Sequence, residues 1–209
     1  MRILVTGSVC AGKTTTARYL RELLPDFKLF NLSDVVINEG LFTEVDKKYD
    51  SRVPDENKLM QWIREHVNVC ENAIIDHHSF DIFGATYFDL VIIVTCCDKG
   101  DNHYTLLKRL QGRGYSEVKI QENMEVELLQ QIAADCERFR APKICINNAD
   151  SLEHLHQQVE AVAKRVRANE FPKLRKNDES DAEESEELAE EDFEEFEEFG
   201  EEPDDEDKK

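Results

Sequence analysis

Length, charge and cysteine content already exclude several classes of protein. The chain has 209 residues and a formal charge of -20, but residues 1–177, with 26 acidic and 24 basic side chains, are nearly neutral. That balance argues against strong nonspecific binding of RNA, and no apolar run approaches the roughly 20 residues of a membrane span. The six cysteines form no C-x-x-C pair and predict reduced thiols in a cytosolic or nuclear protein.

The first predicted elements are a buried strand, a glycine-rich loop and a helix. Residues 2–6 are mostly apolar, residues 7–14 read G-S-V-C-A-G-K-T, and residues 15–24 carry apolar side chains at helical spacing. The pattern G-x-x-x-x-G-K-[ST] between a strand and a helix indicates a phosphate loop. Its N–H groups would surround a β-phosphate, while Lys13 would bridge the β- and γ-phosphates and Thr14 would ligate Mg²⁺. The sequence therefore predicts binding of a nucleoside triphosphate.

Strands and helices are predicted to alternate along the rest of the chain. Further strands are predicted at 27–32, 73–76, 90–95 and 143–146, helices at 33–39, 54–66, 101–111, 117–139 and 151–167, and a polar excursion at 40–54. The central strands are short, continuously apolar runs, as buried parallel strands are. Five strands alternating with helices indicate a three-layer α/β fold with a parallel sheet. Because the first strand starts at residue 2, we expect no signal peptide and no secretion.

A polar triplet, Asp76, His77 and His78, ends one of the apolar strands. In a doubly wound sheet, ligands bind at the carboxyl ends of the strands, here beside the phosphate loop. A carboxylate there can hold the Mg²⁺ shell through water, and an imidazole can orient a nucleophile or bond a phosphate oxygen. A dedicated metal site is less favoured because no third ligand is evident. The alternative is a strand-ending aspartate followed by two surface histidines.

A third motif places an arginine, Arg113, between Gly112 and Gly114, where one predicted helix gives way to the next. The glycines would let the loop hinge, and the arginine would swing over the phosphates to neutralise charge during phosphoryl transfer. This combination is typical of a lid. The alternative is a helix–helix turn with a solvated arginine.

The end of the chain is strongly acidic. From about Asn177 it is too charged and too poor in apolar residues to bury a core, so we expect disorder. Phe193, Phe196 and Phe199 interrupt the acidic run at three-residue intervals. Two interpretations remain open: a solvated tail that aids solubility, or an arm that engages a basic protein.

Together these motifs resemble the adenylate kinase isoenzyme 6 family, over about residues 1–165. The resemblance rests on the phosphate loop and on short matches at 49–50, 54–56, 76–78, 81–83, 113–119 and 122–127. It implies a P-loop NTPase fold over about residues 1–170. It also implies a small insert that binds a nucleoside monophosphate at about 31–54, a lid at about 112–122, and a disordered acidic tail at 171–209.

The resemblance also implies an activity and a setting. Family members convert ATP and AMP to two ADP, hydrolyse ATP, and use ATP with Mg²⁺. They act in small ribosomal subunit maturation and pre-rRNA cleavage, in the nucleus and cytoplasm. There they contact a small-subunit ribosomal protein on the pre-ribosomal particle. A monomer without membrane attachment is expected.

Site residues carry over by position. The phosphates of ATP would contact Arg113 and the loop residues Cys10, Gly12, Lys13, Thr14 and Thr15. Asp76 and His78 would serve Mg²⁺, water or the transferring phosphate, with Thr14 and Asp76 as the metal ligands. Lys13, Asp76, His78 and the lid arginine Arg113 would be the catalytic set.

The chain departs from the family at two places. The loop interior reads Ser8-Val9-Cys10, where the family usually has a Thr-Pro-Gly-like sequence. Ile37 stands where adenylate kinases place a basic residue that grips the AMP phosphate, and the loss of such a contact weakens binding by about 1.5 to 3 kcal/mol. Ile37 leaves open a nucleotide-switched, non-catalytic ribosome assembly chaperone as one alternative. The other is a plain metabolic adenylate kinase, for which the acidic tail would be incidental.

Overall fold

Five parallel strands form the central sheet in the part of the chain that the structure describes. The structure is a computed structural model, and it describes residues 1–46, 51–78, 81–100 and 102–174, all within one unit, Met1–Leu174. Most of the predicted acidic tail, and residues 49–50 of the predicted insert, lie outside the described residues.

Strands and helices alternate as the sequence predicts. In chain order they are β1 (Arg2–Gly7), α1 (Lys13–Leu23), β2 (Lys28–Asn31), α2 (Leu32–Asn38), β3 (Phe42–Asp46), β4 (Ser51–Pro54), α3 (Glu56–His66), β5 (Ala73–Asp76), β6 (Leu90–Thr95), α4 (Tyr104–Gly112), α5 (Glu117–Leu128), α6 (Gln131–Asp135), β7 (Lys143–Asn147) and α7 (Leu152–Arg167). A short 3-10 turn, Cys136–Arg138, follows α6. Among the described residues, no helix is long and apolar enough to cross a membrane.

The order of the strands determines where a ligand can bind. They lie in the order β2-β5-β1-β6-β7, and every neighbouring pair is parallel. In this order β1 lies centrally, with Val5 paired to Asp76 on one side and Ile92 on the other. The loop after β1 and the carboxylate that ends β5 therefore lie next to each other at the carboxyl edge, where open α/β sheets bind ligands.

The core covers both faces of the sheet. Ile3 of β1 packs with Leu20 of α1 and Val159 of α7 on one face. Leu4 of the same strand packs with Ile63 of α3 on the other. All five are 0% exposed. Burial on both faces explains why these strands read as continuous apolar runs.

Several predicted boundaries are wrong for local reasons. The helix predicted from residue 33 begins at Leu32, because Asn31 at the end of β2 caps it by accepting from the Asp34 N–H. The helix predicted over 117–139 is interrupted by Gln130, which adopts a left-handed conformation with φ 51 between α5 and α6. The predicted excursion at 40–54 contains an antiparallel pair, β3 and β4.

Candidate active site

A cleft of about 910 Å³ opens at the carboxyl edge of the sheet, bordered by the loop after β1, the starts of α1 and α2, and the turn from α4 to α5. It contains all the site residues predicted from the sequence: Cys10, Gly12, Lys13, Thr14, Thr15, Asp76, His78 and Arg113. The fold thus brings together residues from three separate segments of the chain. Their individual roles stay predictions.

The loop after β1 depends on two glycines. Gly7 and Gly12 have φ 143 and φ 108, values that side chains rarely allow. A Cβ at Gly7 would lie 2.1 Å from the carbonyl oxygen of Val94, and one at Gly12 would lie 2.0 Å from the side-chain nitrogen of Asn148. Glycine is therefore needed to lay the loop against β6 and the end of β7. Cys10, also left-handed at φ 66, carries a side chain in a conformation that glycine adopts freely.

Lys13 folds back onto this loop. Its ammonium donates hydrogen bonds to the carbonyl oxygens of Gly7 at 2.8 Å and Ser8 at 2.9 Å. Burial lowers the pKa of Lys13, and the nearby carboxylate of Asp76 opposes that shift. The charge is thereby held at the end of β1, at the mouth of the loop where phosphate would lie.

Thr14 and Asp76 form the oxygen-rich part of the site. The Thr14 hydroxyl donates to Oδ2 of Asp76 at 2.7 Å, and the Asn31 amide donates to the same oxygen at 2.8 Å. Asp76 is 3% exposed. Burial raises the pKa of its carboxyl group, against the lowering effects of the Thr14 hydrogen bond and of Lys13. A hydroxyl beside a carboxylate fits Mg²⁺, which prefers hard oxygen ligands and completes its shell with water and phosphate.

The two histidines differ in position. His78 lines the cleft, whereas His77 is 3% exposed and donates its backbone N–H to the carbonyl of Val5. Burial, with smaller effects of His78 and Lys13, lowers the pKa of His77 to about 3. His78 is exposed, but burial of its imidazole, with a smaller effect of Lys13, lowers its pKa as well. Both imidazoles are therefore neutral at physiological pH, and His78 is the one that reaches the site.

Arg113 lies at the rim of the cleft. Its guanidinium donates to the hydroxyl of Tyr115 at 3.3 Å, in the turn that joins α4 to α5. That turn is short: Gly114 is left-handed at φ 72, and Ser116 already caps α5 by accepting from the Lys119 N–H. The second half of the predicted lid, from residue 117, is therefore the first part of a helix.

Two polar residues that sequence reasoning missed clamp the loop from the side. The Arg109 guanidinium donates to the carbonyl of Asn148 at 2.8 Å and to that of Ala11 at 3.4 Å. The Asn148 amide donates to the same Ala11 carbonyl at 2.7 Å. Both residues line the cleft. Asn148 was detectable, because it directly follows a strand at the edge where ligands bind. Arg109 lies on α4, one turn before Arg113, but an arginine on a helix does not by itself indicate a site residue.

A buried carboxylate, Glu127 on α5, was also missed as a site residue. It is 6% exposed. One of its oxygens accepts from the Ser8 hydroxyl at 2.5 Å, and the other accepts from the backbone N–H of Cys96 at 2.6 Å. Glu127 therefore ties the helix after the lid turn both to the phosphate loop and to the end of β6.

A second hollow of about 420 Å³ adjoins the cleft, beneath α2 and α3. Thr14, Asn31 and Asp76 line both spaces, so the two meet where β2 and β5 end beside the start of α1. Phe30 and Trp62 form an aromatic wall, with ring centroids 6.0 Å apart. Ile37 is 46% exposed and does not line the hollow, so the insert places no positive charge there through that residue.

The parallel sheet, the glycine-shaped loop and the lysine at its end define a phosphate-loop phosphotransferase. Residues 3–130 match a family model described as an AAA domain. Among solved structures, a shikimate kinase from Bacteroides thetaiotaomicron superposes with a TM-score of 0.54 at 15% identity. The superposition covers 80% of this chain and 98% of the shikimate kinase chain, which supports the fold.

Curated relatives identify the family. Over 161 residues the chain is 31% identical to adenylate kinase isoenzyme 6 homolog FAP7 of Saccharomyces cerevisiae, covering 77% of this chain and 79% of the relative. Over 164 residues it is 31% identical to the adenylate kinase isoenzyme 6 homolog of Caenorhabditis elegans, covering 78% of this chain and 87% of the relative. The chain belongs to the adenylate kinase isoenzyme 6 family, which confirms the resemblance drawn from its motifs.

Proposed function

We propose that this protein transfers the γ-phosphate of ATP to AMP, giving two ADP, and that it hydrolyses ATP when AMP is absent. One observation carries the proposal: the cleft at the phosphate loop and the aromatic-walled hollow share Thr14 and Asp76. A triphosphate held on the loop thus has its terminal phosphate at the entrance to a second space of suitable size for a small ligand. The family names of the relatives support the same reaction.

Each residue of the site has a separate role in the transfer. Lys13 moves from the Gly7 and Ser8 carbonyls onto the β- and γ-phosphates. Thr14 and Asp76 would hold Mg²⁺, which when bound would neutralise charge on the phosphates. An oxygen of the AMP phosphate attacks the γ-phosphorus, the bond to the β,γ-bridging oxygen breaks, and ADP leaves. Arg113, at the rim, turns inward to offset the charge that develops on the transferred group.

Hydrolysis follows from the same geometry when water replaces the acceptor. His78 lies in the cleft with a neutral imidazole, which orients a water molecule toward the γ-phosphate by accepting one of its protons in a hydrogen bond. Ile37 offers no charge to the acceptor. Both features favour a measurable ATPase activity beside the kinase.

On the family resemblance we extend the proposal to small ribosomal subunit maturation and pre-rRNA cleavage in the nucleus and cytoplasm. The nearly neutral charge of residues 1–177 favours recruitment through a ribosomal protein over direct contact with RNA. Cells depleted of the protein should accumulate a small-subunit rRNA precursor. Wild type should clear that precursor and Lys13→Ala should not. Clearance by Lys13→Ala would instead indicate a non-catalytic assembly chaperone.

The enzymatic proposal is tested by measuring phosphate and ADP produced from Mg-ATP, with and without AMP, beside Lys13→Ala. We expect AMP to increase ADP formation and the variant to lose both activities. Phosphate release that AMP leaves unchanged would restrict the activity to hydrolysis. AMP-dependent turnover with no defect in rRNA processing would indicate a metabolic kinase.

A further inference from the structure

The hollow beneath α2 and α3 carries an unusual balance of charge for a site that must admit a phosphate. Asp34, Glu39 and Asp76 all line it. Among the described residues around it, Arg18 is the only basic one. A dianionic phosphate entering this space is repelled by three carboxylates unless one positive charge meets it.

Arg18 is placed to provide that charge. It lies on α1 one turn after Thr14, and residues four apart share a face of a helix. Like Thr14, it lines both the cleft and the hollow. It therefore lies at the junction where the terminal phosphate of the donor and the phosphate of the acceptor must meet.

The Arg18 side chain is also available for a ligand. It is exposed and makes no hydrogen bond or ion pair with any residue in the described part of the chain. Other arginines near the site are already engaged: Arg109 holds the loop carbonyls and Arg113 contacts Tyr115. A free guanidinium presents several N–H donors that match the oxygens of a phosphate.

The aromatic wall of the hollow suits a nucleobase. Trp62 is half-buried, stacks on His66 with centroids 4.4 Å apart, and forms a T-shaped pair with Phe30. Aromatic rings that line a hollow can contact a planar base, and an aspartate and two asparagine amides line the same hollow and can bond the edge of that base. The hollow thus offers a cation for a phosphate and an aromatic wall for a base.

We propose that Arg18, on α1, binds the phosphate of the acceptor nucleoside monophosphate, while Trp62 contacts its base. The cation that the insert lacks at Ile37 is thereby supplied from the helix that follows the phosphate loop. This inference rests on the proposed function, because it assigns the acceptor end of the same reaction.

The single tryptophan of the chain provides the assay. Fluorescence of Trp62 is titrated with AMP and with adenosine, for wild type and for Arg18→Met. We expect the variant to bind AMP about ten- to a hundredfold more weakly and to bind adenosine as wild type does, since only the charged contact is removed. Arg21→Met, on the same helix but outside both spaces, is the matched control and should bind AMP normally.

Steady-state kinetics separate this inference from the proposed function. In Arg18→Met the KM for AMP should rise by a similar factor, in Arg21→Met neither the KM for AMP nor ATP hydrolysis should change, and adding Ile37→Arg to Arg18→Met should recover part of the affinity. Equal AMP binding by wild type and Arg18→Met, or no AMP binding by wild type, overturns the inference. Arg18-dependent AMP binding with no AMP-dependent ADP formation would contradict the proposed kinase and leave the assignment of Arg18 standing.

Discussion

At the scale of single residues, Asp76 illustrates how a site residue can oppose the stability of the free protein. Its carboxylate is almost fully buried at the end of β5. Burial raises its pKa, although the Thr14 hydroxyl and the Lys13 ammonium lower it. The free protein therefore keeps a charged oxygen that the chemistry needs in a place that disfavours charge.

Replacing Asp76 by Asn is expected to raise the melting temperature of the ligand-free protein at neutral pH and to abolish ADP formation. A carboxyl group whose pKa is raised on folding binds more protons in the native state, so its ionisation destabilises the fold as pH rises. The advantage of the variant should therefore shrink as pH is lowered toward the native pKa of Asp76. Calorimetry across this range checks the trend, with the exposed Asp26→Asn as control. A variant less stable than wild type at neutral pH would contradict it.

At the scale of elements, α5 is joined to the phosphate loop by one side chain. The two oxygens of Glu127 accept from donors on different segments, Ser8 and Cys96. In Glu127→Gln only one oxygen remains to accept, so one buried donor loses its partner. We expect the free energy of unfolding to fall by about 1 to 3 kcal/mol, and ATP binding to weaken.

Urea titration and ATP titration measure these two effects. Glu125→Gln is the matched control, because Glu125 is exposed and its contact with Gln121 lies on the surface of the same helix. Loss of the Glu125–Gln121 contact should change the free energy of unfolding by less than about 0.5 kcal/mol. Equal effects of the two substitutions would show that the link to the loop contributes nothing.

The end of α5 provides a second test at this scale. Gln130 adopts φ 51 just past the helix, a position where glycine is preferred. Gln130→Gly should increase the free energy of unfolding by about 0.5 to 1 kcal/mol, since it removes the strain of a side chain in a left-handed conformation. Gln131→Gly, one residue later inside α6, should lower stability by a similar amount. Denaturant titration distinguishes them, and a destabilised Gln130→Gly would refute the explanation of the break.

At the scale of the whole molecule, the parts of the site that could be predicted are those defined by a short stretch of sequence. The phosphate loop is a contiguous motif, and Asp76 follows from the rule that ligands bind at strand ends. Glu127 could not be assigned in the same way, because its contact with Ser8 spans 119 residues. The strand-end rule does point to Asn148, but its contact with Ala11 spans 137 residues and could not be predicted. Such pairs depend on how helices pack onto the completed sheet. The α5–α6 break was missed because Gln130 carries no glycine signal.

Every residue that we assign to the site lies in the described part of the chain, which leads to a prediction about truncation. Residues 1–174 include all the residues that line the cleft and the hollow. At the end of this range, the Leu174 N–H donates to the buried carboxylate of Asp89. A protein ending at residue 174 should therefore keep the kcat and the KM for ATP of the full chain. Parallel assays of the two lengths check this. A large loss of turnover in the shorter protein would give the acidic segment a part in catalysis.

The position of Lys13 in the free protein has a consequence for selectivity. The Lys13 ammonium already donates hydrogen bonds to two carbonyl oxygens. When a nucleotide binds, those bonds are replaced by bonds to phosphate oxygens. A chloride ion or a lone sulfate gains little from such an exchange, whereas a polyphosphate compensates for it through several contacts along the loop at once. The resting protein therefore discriminates by the number of linked phosphates before any contact with a base is made.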